Sequence, residues 1–146
     1  MLKVLLVDDE PFIVQGLSAL IDWEKEGFEI VGTAGNGSEA VEFLKSNPVD
    51  LILADIKMPV MNGLEFLKYI RETHLSEAFF VILSGYGDFT YAKEAIKWQC
   101  TDYILKPIQK SQLLALLSKV KQMQQDKKEE SERIWKIGCL LYTSPS

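Results

Sequence analysis

Cysteine and histidine are scarce in this chain, and their scarcity excludes several kinds of site. Its 146 residues include two cysteines, Cys100 and Cys139, and a single histidine, His74. The two cysteines have no metal-ligand spacing, and two are too few for a disulfide framework. His74 lies in a polar stretch and is predicted to be exposed, with no catalytic role. A zinc site and a disulfide-stapled fold are therefore excluded.

Long apolar runs and an excess of basic charge are also absent. No apolar run approaches the length of a membrane span, and the N-terminus lacks a basic region followed by an apolar signal core. The net charge of −5 and the pI near 4.9 argue against a nucleic-acid surface on this segment. The apolar fraction of 47% is ample for one core. These features predict one soluble, cytoplasmic domain with no membrane partner.

What the chain does contain is a regular alternation of short apolar runs and helical patterns. The runs are rich in leucine and β-branched residues, as buried parallel strands are. They fall at residues 2–7, 28–32, 51–54, 79–83 and 102–105. Pro11 suits the first turn of a helix, and Ser38 is predicted to cap the second helix. Five βα units with right-handed crossovers predict an α/β, flavodoxin-like, doubly wound five-stranded parallel sheet of order 2-1-3-4-5, with helices on both faces.

Acidic residues follow two of these runs where each strand ends. Asp8 and Asp9 follow the first strand, and Asp55 follows the third. The predicted order places strands 1 and 3 side by side, and ligands bind beyond the carboxyl ends of such strands. Three gathered carboxylates require a cation, and Mg²⁺ is the hard, oxygen-seeking ion that suits them. With Ser84 and Lys106 after the fourth and fifth strands, the set predicts acceptance of a phosphoryl group.

Five motifs give the chain a resemblance to a known family. They are Val7-Asp8-Asp9-Glu10-Pro11, Asp55-Ile56-Lys57-Met58-Pro59, Met61-Asn62-Gly63, Leu83-Ser84-Gly85-Tyr86 and Lys106-Pro107. In this order they resemble the receiver (CheY-like) domain of bacterial two-component response regulators, over about residues 2–123. The segments 21–28 and 84–92 are most similar to receivers fused to an AraC-type helix-turn-helix domain.

The resemblance implies a role for each residue of the predicted site. Asp55 would be the phosphoacceptor, Lys106 would pair with a phosphoryl oxygen, and Ser84 would donate a hydrogen bond to the phosphoryl group once formed. Asp8, Asp9, Asp55 and the backbone carbonyl of Lys57 would bind Mg²⁺, Asp8 mainly through a water. It also implies a cis Lys106-Pro107 peptide bond and a Tyr103 ring that turns inward when the Ser84 loop shifts.

The implied function is a phosphorylation-controlled switch rather than an enzyme. Its phosphodonor would be a sensor histidine kinase, and DNA would be a partner only through a C-terminal domain that this chain lacks. On the fourth helix, Phe89, Ala92 and Ile96 are predicted to face the sheet. Tyr91 and Trp98, with Ala95 between them, form a second stripe. Trp98 either covers the edge of the core, or joins Tyr91 and Tyr103 in an output face for phosphorylation-dependent homodimerisation.

The predicted domain boundaries follow changes in composition. Residues 1–123 form the receiver, and the charged residues 124–138 form a helical linker. The last eight residues, 139–146, match the in-frame translation of a sequencing adaptor, so we predict an artefactual tail and a missing downstream region. A heptad seam over 113–137 is weakened by a lysine and a glutamate at its centre. At residue 99 this chain has glutamine where such receivers often have glycine, which predicts a more strained end for the fourth helix.

Two interpretations from other functional classes stay open at this point. One is a Mg²⁺-dependent phosphohydrolase with Asp55 as its nucleophile, although such enzymes commonly carry an acidic residue where this chain has Lys57. The other is a degenerate receiver that acts only as a protein–protein module. Such a module is expected to lack Asp55, Lys106 or the acidic pair, and all of these are present.

Overall fold

Five parallel strands form one sheet in the order β2-β1-β3-β4-β5, which confirms the predicted fold class and strand order. The computed structural model describes residues 1–85 and 89–143, and all of their side chains except those of 89, 90, 92 and 133–143. The elements are β1 (Leu2–Val7), α1 (Pro11–Leu20), β2 (Phe28–Ala34), α2 (Gly37–Ser46), β3 (Leu51–Asp55), α3 (Gly63–Glu72), β4 (Phe79–Ser84), α4 (Phe89–Lys97), β5 (Asp102–Leu105) and α5 (Lys110–Thr143).

Two apolar layers, one on each face of the sheet, hold the fold together. Alternation along β3 shows how they arise: Ile52 and Ala54 pack toward α2, α3 and α4, whereas Leu51 and Leu53 pack toward α1 and α5. All four side chains are buried because helices cover both faces. Phe66 of α3 packs against Phe80 of β4, with ring centroids 5.5 Å apart and planes tilted by 56°. The sheet is therefore fixed rigidly enough to position side chains at its strand ends.

The start of α2 corrects the predicted helix cap. Asn36, not Ser38, is the N-cap, and its side-chain oxygen accepts a hydrogen bond from the Glu39 backbone N–H at 2.9 Å. The Gly37 N–H donates to the Met61 carbonyl at 2.9 Å, which fixes the chain ahead of Ser38. Asparagine and serine are almost equally good caps, so the tertiary contact decides between them.

The side of α4 that faces the sheet also differs from the prediction. Ala95 is only 1% exposed and packs in the core, whereas Ile96 is 73% exposed. The prediction that Ile96 faces the sheet is therefore wrong, while the Phe89 and Ala92 side chains lie outside the described residues. Apolar residues occur on two sides of this helix, so the sequence pattern alone does not fix its rotation. Packing against the sheet selects the side that carries the small Ala95.

The end of α4 is a left-handed turn centred on Gln99. The Cys100 N–H donates to the Ala95 carbonyl and the Gln99 N–H to the Ile96 carbonyl, both at 3.1 Å. This hydrogen-bond pair defines a Schellman motif, in which the left-handed residue is usually glycine. Gln99 adopts φ of 63° instead. A side chain in this conformation costs about 1 kcal/mol, so the helix does end with the strain that the sequence predicted.

Helix α5 is 34 residues long and continues well past the sheet. Its first half is part of the core, because Leu113, Leu116 and Val120 are buried against this domain's own sheet. Lys127 lies over the Phe79 ring at 5.9 Å from the centroid. The first positions of the predicted heptad seam are thus used internally, which disfavours a coiled coil over them. Of the described helices, none combines the length and apolar character that crossing a bilayer requires.

Candidate functional site

Three carboxylates meet at the carboxyl edge of the sheet, where the sequence predicted them. Asp55 ends β3 and Asp8 follows β1, and these neighbouring strands pair Val7 with Ala54. One carboxylate oxygen from each of Asp8, Asp9 and Asp55 lies within 4.8 Å of the others. Asp8 and Asp55 are buried, whereas Asp9 is exposed. The cluster therefore has a buried base and one carboxylate open to solvent.

Lys106 provides the positive charge at the base of this cluster. Its ammonium Nζ lies 3.1 Å from Asp8 Oδ2 and 3.3 Å from Asp55 Oδ2. The Lys106 backbone N–H donates to the Ser84 carbonyl at 2.7 Å, which joins the ends of β4 and β5. The Lys106–Pro107 peptide bond is cis, the conformation that the family resemblance implies. One ammonium thus bridges the two buried carboxylates.

The pKa values show that this single ammonium does not neutralise the cluster. Burial is the largest cause that raises the pKa of Asp55, Lys106 opposes it, and Asp8 adds to it by repulsion. For Lys106, burial lowers the pKa, but its hydrogen bond to Asp8 and its attraction to Asp55 and Asp8 outweigh burial and leave the pKa raised. Three carboxylates with one ammonium therefore form a site that favours a further cation.

Local hydrogen bonds distinguish the two acidic residues after β1. Asp8 Oδ1 accepts the Glu10 backbone N–H at 2.9 Å, and its Oδ2 is held by Lys106. Within the described part of the chain, Asp9 has neither a hydrogen-bond partner nor an ion-pair partner. Asp9 is therefore the carboxylate with its oxygens most available to a ligand from solvent.

The loop after β3 passes close to Asp55 because Gly63 has no side chain. A Cβ built on Gly63 would lie 2.2 Å from the Asp55 carbonyl oxygen. The Gly63 N–H donates to the Ile56 carbonyl at 2.9 Å, and Asn62 caps α3 in a reciprocal capping box with Glu65. The motif Met61-Asn62-Gly63 signalled this loop, but only the structure shows that Gly63 positions the acidic residue.

Ser84 and Tyr103 are already in direct contact in this structure. The Ser84 side chain is fully buried, and its hydroxyl donates to the Gly85 carbonyl at 3.0 Å. The same hydroxyl forms a hydrogen bond with the Tyr103 hydroxyl. Tyr103 is half-buried and packs on the layer that includes α4. The two residues of the predicted switch are thus linked, with the tyrosine ring turned inward.

The three aromatics of the predicted output face border three different clefts. Tyr91 lines a cleft beside Asp9, and Tyr103 lines one between β5 and α5. Trp98 is half-buried at the end of α4, with Lys68 Nζ 5.7 Å from its ring centroid. Trp98 also packs against the core layer that includes α4, which fits the first of its two predicted roles, and the output-face role stays a prediction. Among the described side chains, the aliphatic residues exposed on α4 and β5 include Ile96 and Leu105.

The sequence analysis did not identify one residue that stabilises this region. Arg71 on α3 donates to four backbone carbonyls: Ser76 at 2.8 Å, Ala78 at 2.7 Å, and Trp98 and Gln99 at 3.3 Å each. Burial lowers the pKa of its guanidinium. It ties the end of α4 to α3 and to the start of β4. No local pattern signals such a role, since Arg71 sits among polar residues.

Comparison with known proteins agrees with this fold. The family described as the response regulator receiver domain matches residues 4–118. Over 120 residues the chain is 40% identical to the uncharacterized transcriptional regulatory protein YesN of Bacillus subtilis, covering 82% of this chain and 32% of that protein. It is 37% identical over 120 residues to the transcriptional regulatory protein HptR of Staphylococcus aureus, covering 82% and 46% respectively. The chain thus spans less than half the length of these curated relatives.

Solved structures give the same result. The REC domain of AraT, a response regulator from Geobacillus stearothermophilus, has a TM-score of 0.80 and 38% identity, over 87% of this chain and 98% of that one. A two-component transcriptional regulator AraC from Clostridium phytofermentans has a TM-score of 0.75 and 33% identity, over 84% and 94%. With the matched family, the fold and the carboxylate site in agreement, this chain belongs to the response regulator receiver family.

Proposed function

We propose that this chain is a phosphorylation-activated receiver that accepts a phosphoryl group on Asp55 from a sensor histidine kinase in the cytoplasm. The observation that carries the proposal is the buried Asp55 carboxylate, with Lys106 Nζ at 3.3 Å and Asp8 and Asp9 beside it. An Asp55 oxygen would attack the phosphorus of a phosphohistidine, forming a P–O bond as the P–N bond breaks. The electron pair returns to the imidazole nitrogen, which takes up a proton. The product is an aspartyl phosphate.

Positioning and charge neutralisation supply most of the catalysis in such a transfer. Lys106 is placed to stabilise the negative charge on a phosphoryl oxygen, since it already contacts Asp55. Ser84 would donate to another phosphoryl oxygen, and to do so it must give up its present bond to the Gly85 carbonyl. Its hydrogen bond to Tyr103 would change in the same step. Phosphorylation would in this way favour one arrangement of the β4 and β5 ends over another.

The donor set fits Mg²⁺, because it offers only oxygen ligands and carries excess negative charge. Asp9 and Asp55 would hold the ion directly, with the Lys57 carbonyl as a further ligand and Asp8 acting through water. When bound, the ion would neutralise charge on the carboxylates and the phosphoryl oxygens. The Asp8 side chain is already engaged by the Glu10 N–H and Lys106, which supports its indirect role.

Mg²⁺ is expected to stabilise the folded chain more at pH 7 than at pH 4. The folded-state pKa of Asp55 is raised above its ordinary value near 3.8. At a pH between the unfolded-state and folded-state pKa values, Asp55 therefore keeps a proton in the folded chain that it has lost in the unfolded chain. The unfolding free energy therefore falls as pH rises through this window. Mg²⁺ offsets that loss because it binds the ionised form. At ten times its dissociation constant it should add about 1.4 kcal/mol, measurable by urea unfolding at both pH values.

A titration of the chain with Mg²⁺ separates the roles of the two acidic residues after β1. The Asp9→Ala variant should weaken Mg²⁺ binding more than Asp8→Ala, because Asp9 is the exposed carboxylate without another partner among the described residues. Binding constants, rather than stabilities, are compared, since Asp8→Ala also removes a partner of Lys106. Equal losses of affinity in the two variants would contradict the assignment of direct and indirect ligands.

A small phosphodonor tests the proposed function against its two alternatives. The chain is incubated with acetyl phosphate and Mg²⁺, and the adduct is measured by intact mass. One phosphoryl group on each chain, bound through Asp55, supports the switch. Repeated turnover of many phosphate esters would support a phosphohydrolase, although the exposed Lys57 stands where such an enzyme commonly has an acid. Absence of any adduct would support a protein–protein module.

The output of the switch would lie in a DNA-binding domain beyond this chain. YesN and HptR are named transcriptional regulatory proteins, and this chain covers 32% and 46% of their lengths. The helix α5 continues past residue 123 and is exposed over most of 124–132, which suits a helical linker after a receiver of residues 1–123.

Phosphorylation would promote homodimerisation through α4, β5 and α5, with Ile96 and Leu105 as the apolar anchors. These side chains are 73% and 48% exposed, on the last helix–strand pair at the β5 edge of the sheet. Replacement by Asp in the Ile96→Asp variant should weaken self-association of the phosphorylated chain at least tenfold, because it places a charge in an apolar contact. Sedimentation velocity measures this while intact mass confirms phosphorylation.

The exposed aromatic Phe12 on α1 provides the control for that experiment. It is 66% exposed on α1, a helix that is not part of the proposed face, so Phe12→Ala should leave self-association unchanged. Unaltered dimerisation of a folded, phosphorylated Ile96→Asp variant would rule out this face.

A further inference from the structure

A cleft of about 380 Å³ opens beside the acidic site, between the loop after β3 and the start of α4. Asp9 and Lys57 line it on the side of the site, and Met58 and Tyr91 contribute apolar surface. Tyr91 is the α4 residue that lines it among the side chains described, and it is 36% exposed. The cleft therefore connects solvent with the side of the site that carries the exposed carboxylate.

Lys106 and Ser84 lie at the buried base of the site. Lys106 lies between the two buried carboxylates there, and it also lines the separate apolar groove against α1. Ser84, at the end of the neighbouring strand β4, is fully buried. Among the clefts that the described residues line, the one that Tyr91 borders includes Asp9 and Lys57, and it therefore offers water from solvent a route toward a phosphoryl group on Asp55.

We propose that the Tyr91 ring limits the access of water to phosphorylated Asp55 and so sets the lifetime of the aspartyl phosphate. This inference rests on the proposed function and extends it to the hydrolysis of the aspartyl phosphate. In that reaction, a water oxygen bonds to phosphorus as the bond from phosphorus to the Asp55 oxygen breaks. The electron pair returns to the Asp55 carboxylate, and inorganic phosphate leaves with the protons of the water.

The ring, rather than the hydroxyl, carries this effect. Met58 and Pro59 line the same cleft, so the ring extends the apolar part of its lining, which offers water no hydrogen bond, opposite the polar part formed by Asp9, Lys57 and Asn62. Removing the ring would widen the entrance and let bulk water occupy it, whereas removing only the hydroxyl would leave the wall in place. Tyr91 is therefore a positioning residue, because it acts on the access of water to the phosphoryl group and not on the reacting atoms.

The loss of the phosphoryl group after acetyl phosphate is removed tests the inference. The Tyr91→Ala variant should lose its label roughly three- to tenfold faster than the wild-type chain, which corresponds to about 0.7 to 1.4 kcal/mol in the barrier. The conservative variant Tyr91→Phe should retain the wild-type rate. The exposed Tyr69 on α3, 39% exposed and away from the cleft, gives the matched control Tyr69→Ala. All rates are taken at a concentration where the chain is monomeric, beside urea unfolding of each variant.

Each outcome bears on one of the two proposals. A wild-type hydrolysis rate in a folded, labelled Tyr91→Ala chain would overturn the inference and leave the phosphoacceptor role intact. A Tyr91→Phe chain that decays as fast as Tyr91→Ala would overturn it too, since the hydroxyl would then be the active group. Equal acceleration in Tyr69→Ala would reject the cleft as the route. No label on the wild-type chain would overturn the proposed function, and this inference with it.

Discussion

Replacing Asp55 by asparagine is expected to abolish phosphorylation of this chain by acetyl phosphate. An amide is a poor nucleophile and a weak ligand for a hard cation, so both the reacting atom and part of the metal site are lost. The labelled fraction of the Asp55→Asn variant should fall at least a hundredfold, to the detection limit of intact mass spectrometry. Labelling at the wild-type rate and on the same residue position would contradict the assignment.

The Asp55→Asn variant should also be as stable as the wild-type chain, or more so, in the absence of Mg²⁺ near pH 7. The raised pKa of Asp55 shows that burial and the nearby Asp8 disfavour its charged form. The neutral amide has nearly the same shape and removes that cost. Asp126→Asn on the exposed part of α5 is the matched control for the substitution itself. It should leave both labelling and stability unchanged.

The Arg71→Ala variant is expected to lose about 3 kcal/mol of unfolding free energy, the largest single effect on stability that we predict. Four carbonyl groups receive their hydrogen bonds from this guanidinium, at 2.7 to 3.3 Å. Two of them, on Trp98 and Gln99, belong to the strained end of α4, where φ of Gln99 is 63°. Urea unfolding followed by circular dichroism measures the loss.

Arg71→Lys tests whether the geometry of the guanidinium matters, or only its charge. A lysine ammonium cannot reach four carbonyls spread over two segments, residues 76–78 and 98–99, so this variant should recover less than half of the lost stability. Lys45→Ala is the control, because Lys45 forms a solvent-exposed ion pair with Glu42 and its loss should change the unfolding free energy far less than Arg71→Ala does. A fully stable Arg71→Lys chain would show that charge alone is sufficient.

Most of the fold and the residues of the candidate site were determined by local features of the sequence. Each strand is a short apolar run bounded by turn residues, and the chemical groups come directly after these runs: Asp8, Asp55, Ser84 and Lys106. A parallel sheet with right-handed crossovers then has few arrangements, and all of them collect strand ends at one edge. For this reason the acidic cluster could be predicted without knowledge of any contact.

Only the tertiary structure decided how the helices rotate and which side chains meet. Ala95 rather than Ile96 faces the sheet, because α4 has apolar residues on two sides and the packing selects one of them. Asn36 rather than Ser38 caps α2, because a contact from Met61 fixes the chain before it. The four bonds of Arg71 and the place of Tyr91 beside Asp9 join segments far apart in sequence. No local period encodes such contacts, because they depend on the distance and orientation of elements that the sheet brings together.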